Sequence, residues 1–464
     1  MRRTAIRRVT DPSTLSVPIA VLAAAAVRLF APFDPAGATM LAITTLCIVL
    51  WVGNLITPAY TGVLGLGLIG LGFSLDLALS GFSSPATWLI AFGLVMGEAT
   101  RRSGLAEWAG RWVIQRVTSD PATDPRRTYR RLLFGLSTAG LLLVFVIPVG
   151  IVRVLVLAPV VLEVGDRFDA ERVRLGLFFG PILVTYLGTF GVLTGGSPNI
   201  IVLGILESVA GVSVSWSRWF VLLFPVMGLG RLLVTVGVVY VLYRPPAGLE
   251  MSRDSGEVRS MAAAERRMFA FLLAGVAVWV TDAIHGLHPV YGALLVAVLA
   301  FLPRVGIADF EETVGDVDFS ILFFVAAVLA IGEGLTRTDV AGTLARGLLR
   351  VVPPEASPLA VLAVVFLSTV ALMIVMGGLA AVSVATPVVI ALAGDLGLPV
   401  VPLALAEVVA LGVPFVPYQS AVLVVILAYE IVDTRELIRV AAAVAIATAL
   451  LLVPVQLGIL AAAA

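Results

Sequence analysis

The chain has 464 residues, of which 60% are hydrophobic and only 13% charged, and its 30 basic and 30 acidic groups balance. An ordinary soluble domain carries about 25% charged residues; with a mean hydropathy of +1.08, the composition excludes a soluble fold and points to an all-α polytopic membrane protein. One cysteine, Cys47, excludes intrachain disulfides and thiolate clusters, and two histidines, His285 and His288, in one short stretch leave nothing for a histidine metal site.

The start, Met1-Arg2-Arg3 through Arg8 and then the apolar run from Leu15 to Ala26, has the outline of a signal peptide. A first spanning helix is the favoured reading, because multispanning chains often begin this way. Apolar segments follow at 37–57, 60–79, 85–104, 132–164, 175–206, 217–243, 268–286, 289–303, 319–338, 358–394, 401–429 and 437–461. A crossing needs about 20 residues. Segment 132–164, with Pro148-Val149-Gly150 at its centre, and segment 358–394, with Met376-Gly377-Gly378 at its centre, are too long for one crossing and too short for two. Both are expected to be re-entrant hairpins. Segment 175–206 holds 32 residues without a charge and is interrupted at Thr194-Gly195-Gly196-Ser197-Pro198-Asn199. Segment 401–429 is interrupted at Gly412-Val413-Pro414-Phe415-Val416-Pro417. Both are expected to be broken helices, tolerated at membrane depth only where the backbone lines a cavity or is buried in protein.

The order repeats. Gly97-Glu98, Arg102, Ala106 and Arg111 recur as Gly332-Glu333, Arg337, Ala341 and Arg346, each followed by a hairpin and a broken helix. Repeat one covers about 37–243 and repeat two about 268–461. The i,i+4 pairs Glu98–Arg102 and Glu333–Arg337 are expected to steady helix ends. With a cytoplasmic N-terminus and two hairpins, 23 arginines fall on the cytoplasmic side and five outside. That bias supports eleven spans, inverted repeats and insertion in the cell's inner (plasma) membrane. All basic residues are arginine, which reads as base composition of the genome. No cofactor and no nucleic-acid partner is expected.

At the first break, Gly195 and Gly196 allow unusual backbone angles, Ser197 is expected at the N-cap and Pro198 at the first helical position. The free amides of that half-helix favour an anion; Asn199 adds an amide that serves anion or cation. Its counterpart is Pro417-Tyr418-Gln419-Ser420, with Gln419 in the place of Asn199. Together these motifs resemble the divalent anion:sodium symporters of the ion transporter superfamily. Gly81-Phe82-Ser83-Ser84-Pro85-Ala86-Thr87-Trp88, followed by Gly104-Leu105, is similar to the start of that family's first repeat, and Gly196-Ser197-Pro198-Asn199 to its first broken helix. The resemblance spans most of the chain. It implies secondary transport of a small anion such as a dicarboxylate, citrate or sulfate, driven by Na+, by a homodimer with an elevator-type movement.

The chain departs from that family at both hairpin tips, where Ser-Asn-Thr is replaced by Val149-Gly150-Ile151 and by Gly377-Gly378-Leu379. Sodium independence or weak dependence is therefore expected, with Na+ or H+ as candidate coupling ions. Arg153, two residues past the first tip, is costly at membrane depth, by about 2.5–3.5 kcal/mol on insertion scales. Two readings stand for it: a fixed positive charge in place of sodium or a partner of the substrate anion, and a hairpin cap or a structural ion pair. Arg231 is expected to be structural or to lie at a domain interface. Glu407 is the candidate coupling carboxylate, or a partner for Arg153. The competing readings are an arsenite or sodium/proton antiporter of the same superfamily and a transport-dead receptor or scaffold. No catalytic motif points to an enzyme.

Overall fold

The computed structural model describes residues 16–53, 56–118, 124–147, 149–252, 259–352 and 355–464. The N-terminal arginines lie outside the described residues. The fold is all-α; among the described residues the only strand-like pairing is an isolated bridge between Phe168 and Met251. Six helices are long and apolar enough to cross a membrane, and up to nine if three bent pairs are each one span. The expected eleven spans are not reached by helix length alone. The remainder are shorter apolar helices such as Pro58–Gly72, Val290–Phe301 and Val400–Leu411.

A local grammar starts many of these helices. Ser84, Asp124 and Ser357 each accept a backbone N–H in the first turn, from Ala86, Arg126 and Ala360, and each is followed directly by proline. A capping oxygen satisfies an orphan amide, and proline at the next position has none to satisfy. This explains one shifted boundary. The first arm of hairpin one is Pro125–Val146, beginning before position 132, because the Asp124-Pro125 cap starts the helix within an arginine-rich stretch that hydropathy reads as loop.

The two hairpins form where the glycine-containing centres suggest. Hairpin one joins Pro125–Val146 to Gly150–Gly165, and hairpin two joins Pro358–Met376 to Gly378–Leu396. Gly377 turns the second with φ +78° and ψ 162°, a backbone region reserved for glycine. The broken helices are Glu171–Leu187 with Ser197–Ile205, and Val400–Leu411 with Ala421–Ile426.

Packing crosses the two halves of the chain. The second arm of hairpin one packs on Ala421–Ile426, the far half of the second broken helix, while the second arm of hairpin two packs on Ser197–Ile205, the far half of the first. The first break is thus buried, while the second is partly buried, with Tyr418 exposed. The unbroken helix Trp216–Leu242 flanks them; it contains a seven-residue π-helical stretch, Phe224–Gly230, immediately before Arg231. Such stretches are often found at functional positions.

Candidate functional site

The first break opens earlier than its polar residues indicate. The near half-helix ends at Leu187, and two 3-10 turns, Gly188–Gly191 and Leu193–Gly195, carry the chain to Gly196. Gly196, not Ser197, is the N-cap: the helix begins at Ser197 with no side-chain cap bond, and Pro198 follows in its first turn. Ser197 is displaced from the cap because Gly196 already adopts the extended conformation that a cap requires (φ −173°, ψ 158°). Thr194 is held from outside, accepting a hydrogen bond from the Trp216 indole at 3.1 Å.

Asn199 is fully buried. Its Nδ2 donates to the carbonyls of Thr189 and Val192, both at 2.9 Å. Because both partners are acceptors, the amide has one orientation, and Oδ1 is left without a protein partner. Asn199 therefore closes the turn and presents only an acceptor.

Arg153 is also fully buried. Its Nη1 donates to the carbonyls of Ile147 and, at 2.8 Å, Gly195; its Nη2 donates to the Thr185 carbonyl at 3.1 Å and to the Thr189 hydroxyl. The guanidinium thus joins the tip of hairpin one to the first break through four oxygens and no carboxylate. Hydrogen bonds from a charged donor contribute about 1.5–3 kcal/mol each, which offsets part of the cost of a buried charge. Thr185 and Thr189 escaped the sequence reading. Two threonines four apart in a charge-free run, 175–206, are the signal that marks them, although Thr185 contributes its carbonyl and Thr189, in the 3-10 turn beyond the helix, its hydroxyl.

At the second break Gln419 mirrors Asn199 with the opposite polarity. Its Oε1 accepts the backbone N–H groups of Phe415 and Val416, both at 2.8 Å, which leaves the buried Nε2 as a donor without a protein partner. Pro417 begins the short 3-10 turn that ends at Gln419. Ser420 is the N-cap of the following half-helix, accepting the Val422 N–H at 3.2 Å. Tyr418 is tied to hairpin two through its hydroxyl, which donates to the Ile374 carbonyl.

Both tips rest on this break. A Cβ added to Gly150 would lie 3.0 Å from Val422, and one added to Gly378 would lie 3.2 Å from the Gln419 carbonyl. Ile151 and Leu379, beside these glycines, are half-buried. The tips supply backbone and space, and no polar side chain.

Glu407, fully buried, accepts the Thr386 hydroxyl at 2.8 Å through Oε1, while Oε2 has no protein partner. It does not pair with Arg153, whose donors are directed to the oxygens named above; Glu407 faces the second arm of hairpin two instead. Arg231 lies between the two broken helices, a position compatible with the interface role expected of it. Its guanidinium lies against Gly412, the residue that ends the near half of the second broken helix, and donates to the Leu187 carbonyl at 3.1 Å. It sits where both breaks open.

Residues 13–459 match the protein family described as the sodium:sulfate symporter transmembrane region. The chain belongs to that family. Among characterised relatives it is 24% identical to the citrate/succinate antiporter of Escherichia coli over 57% of its length and 55% of the relative's. It is 23% identical to the L-tartrate/succinate antiporter of the same organism over 57% and 55%. It is also 23% identical to a membrane protein of Cupriavidus necator over 66% of this chain and 63% of that one. The alignments thus span little more than half the length of these relatives. The fold is similar to that in the crystal structure of the Alcanivorax borkumensis YdaH transporter, with a TM-score of 0.52 at 16% identity over 92% of this chain and 98% of that one. The chain is a multi-pass membrane protein of this transporter family.

Proposed function

We propose that the protein is a secondary transporter of a small dicarboxylate-like anion (a dicarboxylate, citrate or sulfate) and that Arg153 serves as a permanent cation at its first break. The observation that carries this reading is the guanidinium caged by the oxygens of Ile147, Thr185, Thr189 and Gly195. A bound Na+ would need several such oxygens. Here they already receive N–H donors from a group that does not lose its proton in proteins. The charge also faces the carbonyl end of a half-helix, where the helix dipole favours a cation. The names of the two Escherichia coli relatives, citrate/succinate and L-tartrate/succinate antiporter, support exchange of di- and tricarboxylates.

Hairpin tips seated on the breaks support movement of hairpins and broken helices as one body, in an elevator-type cycle within each protomer of a homodimer. The N-terminus is assigned to the cytoplasm on the arginine bias. Glu407, a buried carboxylate with one hydroxyl partner, is the group assigned to proton coupling.

Proteoliposomes containing the purified chain test the transport reading. Labelled succinate is expected to exchange against internal succinate or citrate at equal rates in sodium and choline buffers. A lack of exchange with succinate, citrate and sulfate in both buffers would overturn it, and exchange only with sodium would remove the permanent-cation role of Arg153.

A further inference from the structure

We propose that Arg231 is the residue that binds the anionic group of the transported solute, so that the second break, and not the first, is the anion-binding pole. This rests on the transport reading above and assigns one side chain within it. The first break has few side-chain donors to spare. Both hydrogens of the Asn199 amide are committed to Thr189 and Val192, and the terminal nitrogens of Arg153 are satisfied by four protein oxygens.

Arg231 is different. It is 1% exposed, yet among the described residues its terminal nitrogens have only the Leu187 carbonyl at 3.1 Å and the Met227 sulfur at 3.4 Å as acceptors; its Nε, like that of Arg153, has none. A guanidinium offers five N–H donors, and a buried cation without a carboxylate partner is costly. The titratable group acting on it is the Tyr186 hydroxyl, which also lies beside Ser420.

Two features aim this charge at the second break. A Cβ at Gly412 would lie 2.7 Å from Nη1 and 3.2 Å from Nη2, so glycine at that position is what admits the guanidinium. At the same break, Gln419 has a buried amide nitrogen without a protein partner. A planar, bidentate donor suits an oxyanion with two adjacent oxygens, a carboxylate or a sulfate. Lysine, as a point charge, reproduces the charge and not the fork.

The test is thermal stabilisation of the purified full chain by succinate, citrate and sulfate, titrated separately, since a ligand that binds the folded state raises the melting temperature. Arg231→Gln is expected to weaken the apparent affinity for the stabilising anion on the order of 10-fold or more, with the ligand-free melting temperature held or raised because an uncompensated buried charge is gone. Arg231→Lys is expected to fall between the two. If Arg231 merely caps the half-helix ending at Leu187, Arg231→Gln instead lowers the ligand-free melting temperature and leaves affinity intact, which overturns the proposal. Unchanged affinity with unchanged melting overturns it as well, while leaving the transport reading in place. A wild-type protein stabilised by none of the three anions takes both readings down. Should Arg231→Gln not fold, Gly412→Ala decides, because its methyl group displaces the guanidinium: wild-type affinity in that variant overturns the proposal.

Discussion

Arg153 turns a group of converging carbonyls into a cation cage, and its removal exposes what the cage can hold. Arg153→Ala takes its donors from the carbonyls of Ile147, Thr185 and Gly195, the last two keeping the Thr189 hydroxyl at 3.5 and 3.3 Å; a buried group left unsatisfied costs about 1–3 kcal/mol. The variant is expected to melt lower than wild type and to regain part of the loss when NaCl replaces choline chloride, while wild type does not respond to sodium. Stabilisation of wild type by sodium itself would count against the cage being filled by arginine. Glu407→Gln keeps an acceptor for Thr386 and removes the ionisable group. If Glu407 carries the coupling proton, uptake by this variant loses the pH dependence of the parent; a pH profile that survives the substitution excludes that role. Gly377 holds a conformation reserved for glycine, whereas Gly397, with φ +63° and ψ 26°, ends its helix in the left-handed region that other residues enter at a cost of about 1–2 kcal/mol. Gly377→Ala should therefore lower the melting temperature more than Gly397→Ala, and equal effects would show that the hairpin tip is free to relax.

Between helices, the ion pairs gather at helix ends, whereas Arg153, Arg231 and Glu407 stand inside the apolar segments with no ion-pair partner among the described residues. Glu98 bonds Arg101 at 2.6 Å and Arg102 at 3.1 Å, and Arg102 reaches on to Asp316 at 2.5 Å. The repeat partner Glu333 bonds Arg337. These pairs fix helix termini, the role their i,i+4 spacing implies; half-exposed pairs of this kind contribute about 0–1 kcal/mol each. Glu265, in the first turn of Ala263–Val280 and before the apolar segment begins, is more deeply placed. The hydrogen bond from Arg259, joined by the backbone N–H of Ala262 at 2.6 Å, holds its carboxyl below the usual carboxylate range. A carboxyl whose folded value is depressed stabilises the fold above its unfolded value and loses that contribution as pH falls through the folded one. Melting temperature is thus expected to drop as the pH falls from neutral to below the ordinary carboxylate range, with a smaller acid-induced drop in Arg259→Gln. An identical drop in both proteins would place the acid-sensitive group elsewhere.

At the scale of the molecule, orientation is open to chemical test because Cys47 is buried. Ala247 and Glu355 are both exposed, in loops assigned to opposite sides. In intact cells a membrane-impermeant maleimide is expected to label Glu355→Cys, and to label Ala247→Cys only after permeabilisation. The reverse pattern would invert the assigned topology.

Class, hairpins and breaks were legible in the chain because they depend on composition and local backbone chemistry. Apolar runs of length unsuited to one or two crossings, each interrupted at glycine or proline, force a turn or a break whatever surrounds them. Family membership was legible for the same reason, in Gly196-Ser197-Pro198-Asn199 and in the order of the elements. The start of hairpin one was not, since the Asp124-Pro125 cap counts for nothing in a hydropathy scale. Nor was the start of the first break at Gly188, where the interrupted residues are themselves apolar. The division of polar roles belongs wholly to the tertiary structure. Asn199 and Gln419 occupy matching positions and both carry amides, yet one is turned by two carbonyls to offer an acceptor and the other by two N–H groups to offer a donor. Arg153 and Arg231 are both arginines at membrane depth, the first read as a site candidate and the second as structural or interfacial. What separates them is how many oxygens from distant segments converge on each, which no local pattern records: four around Arg153, and around Arg231 the single carbonyl of Leu187.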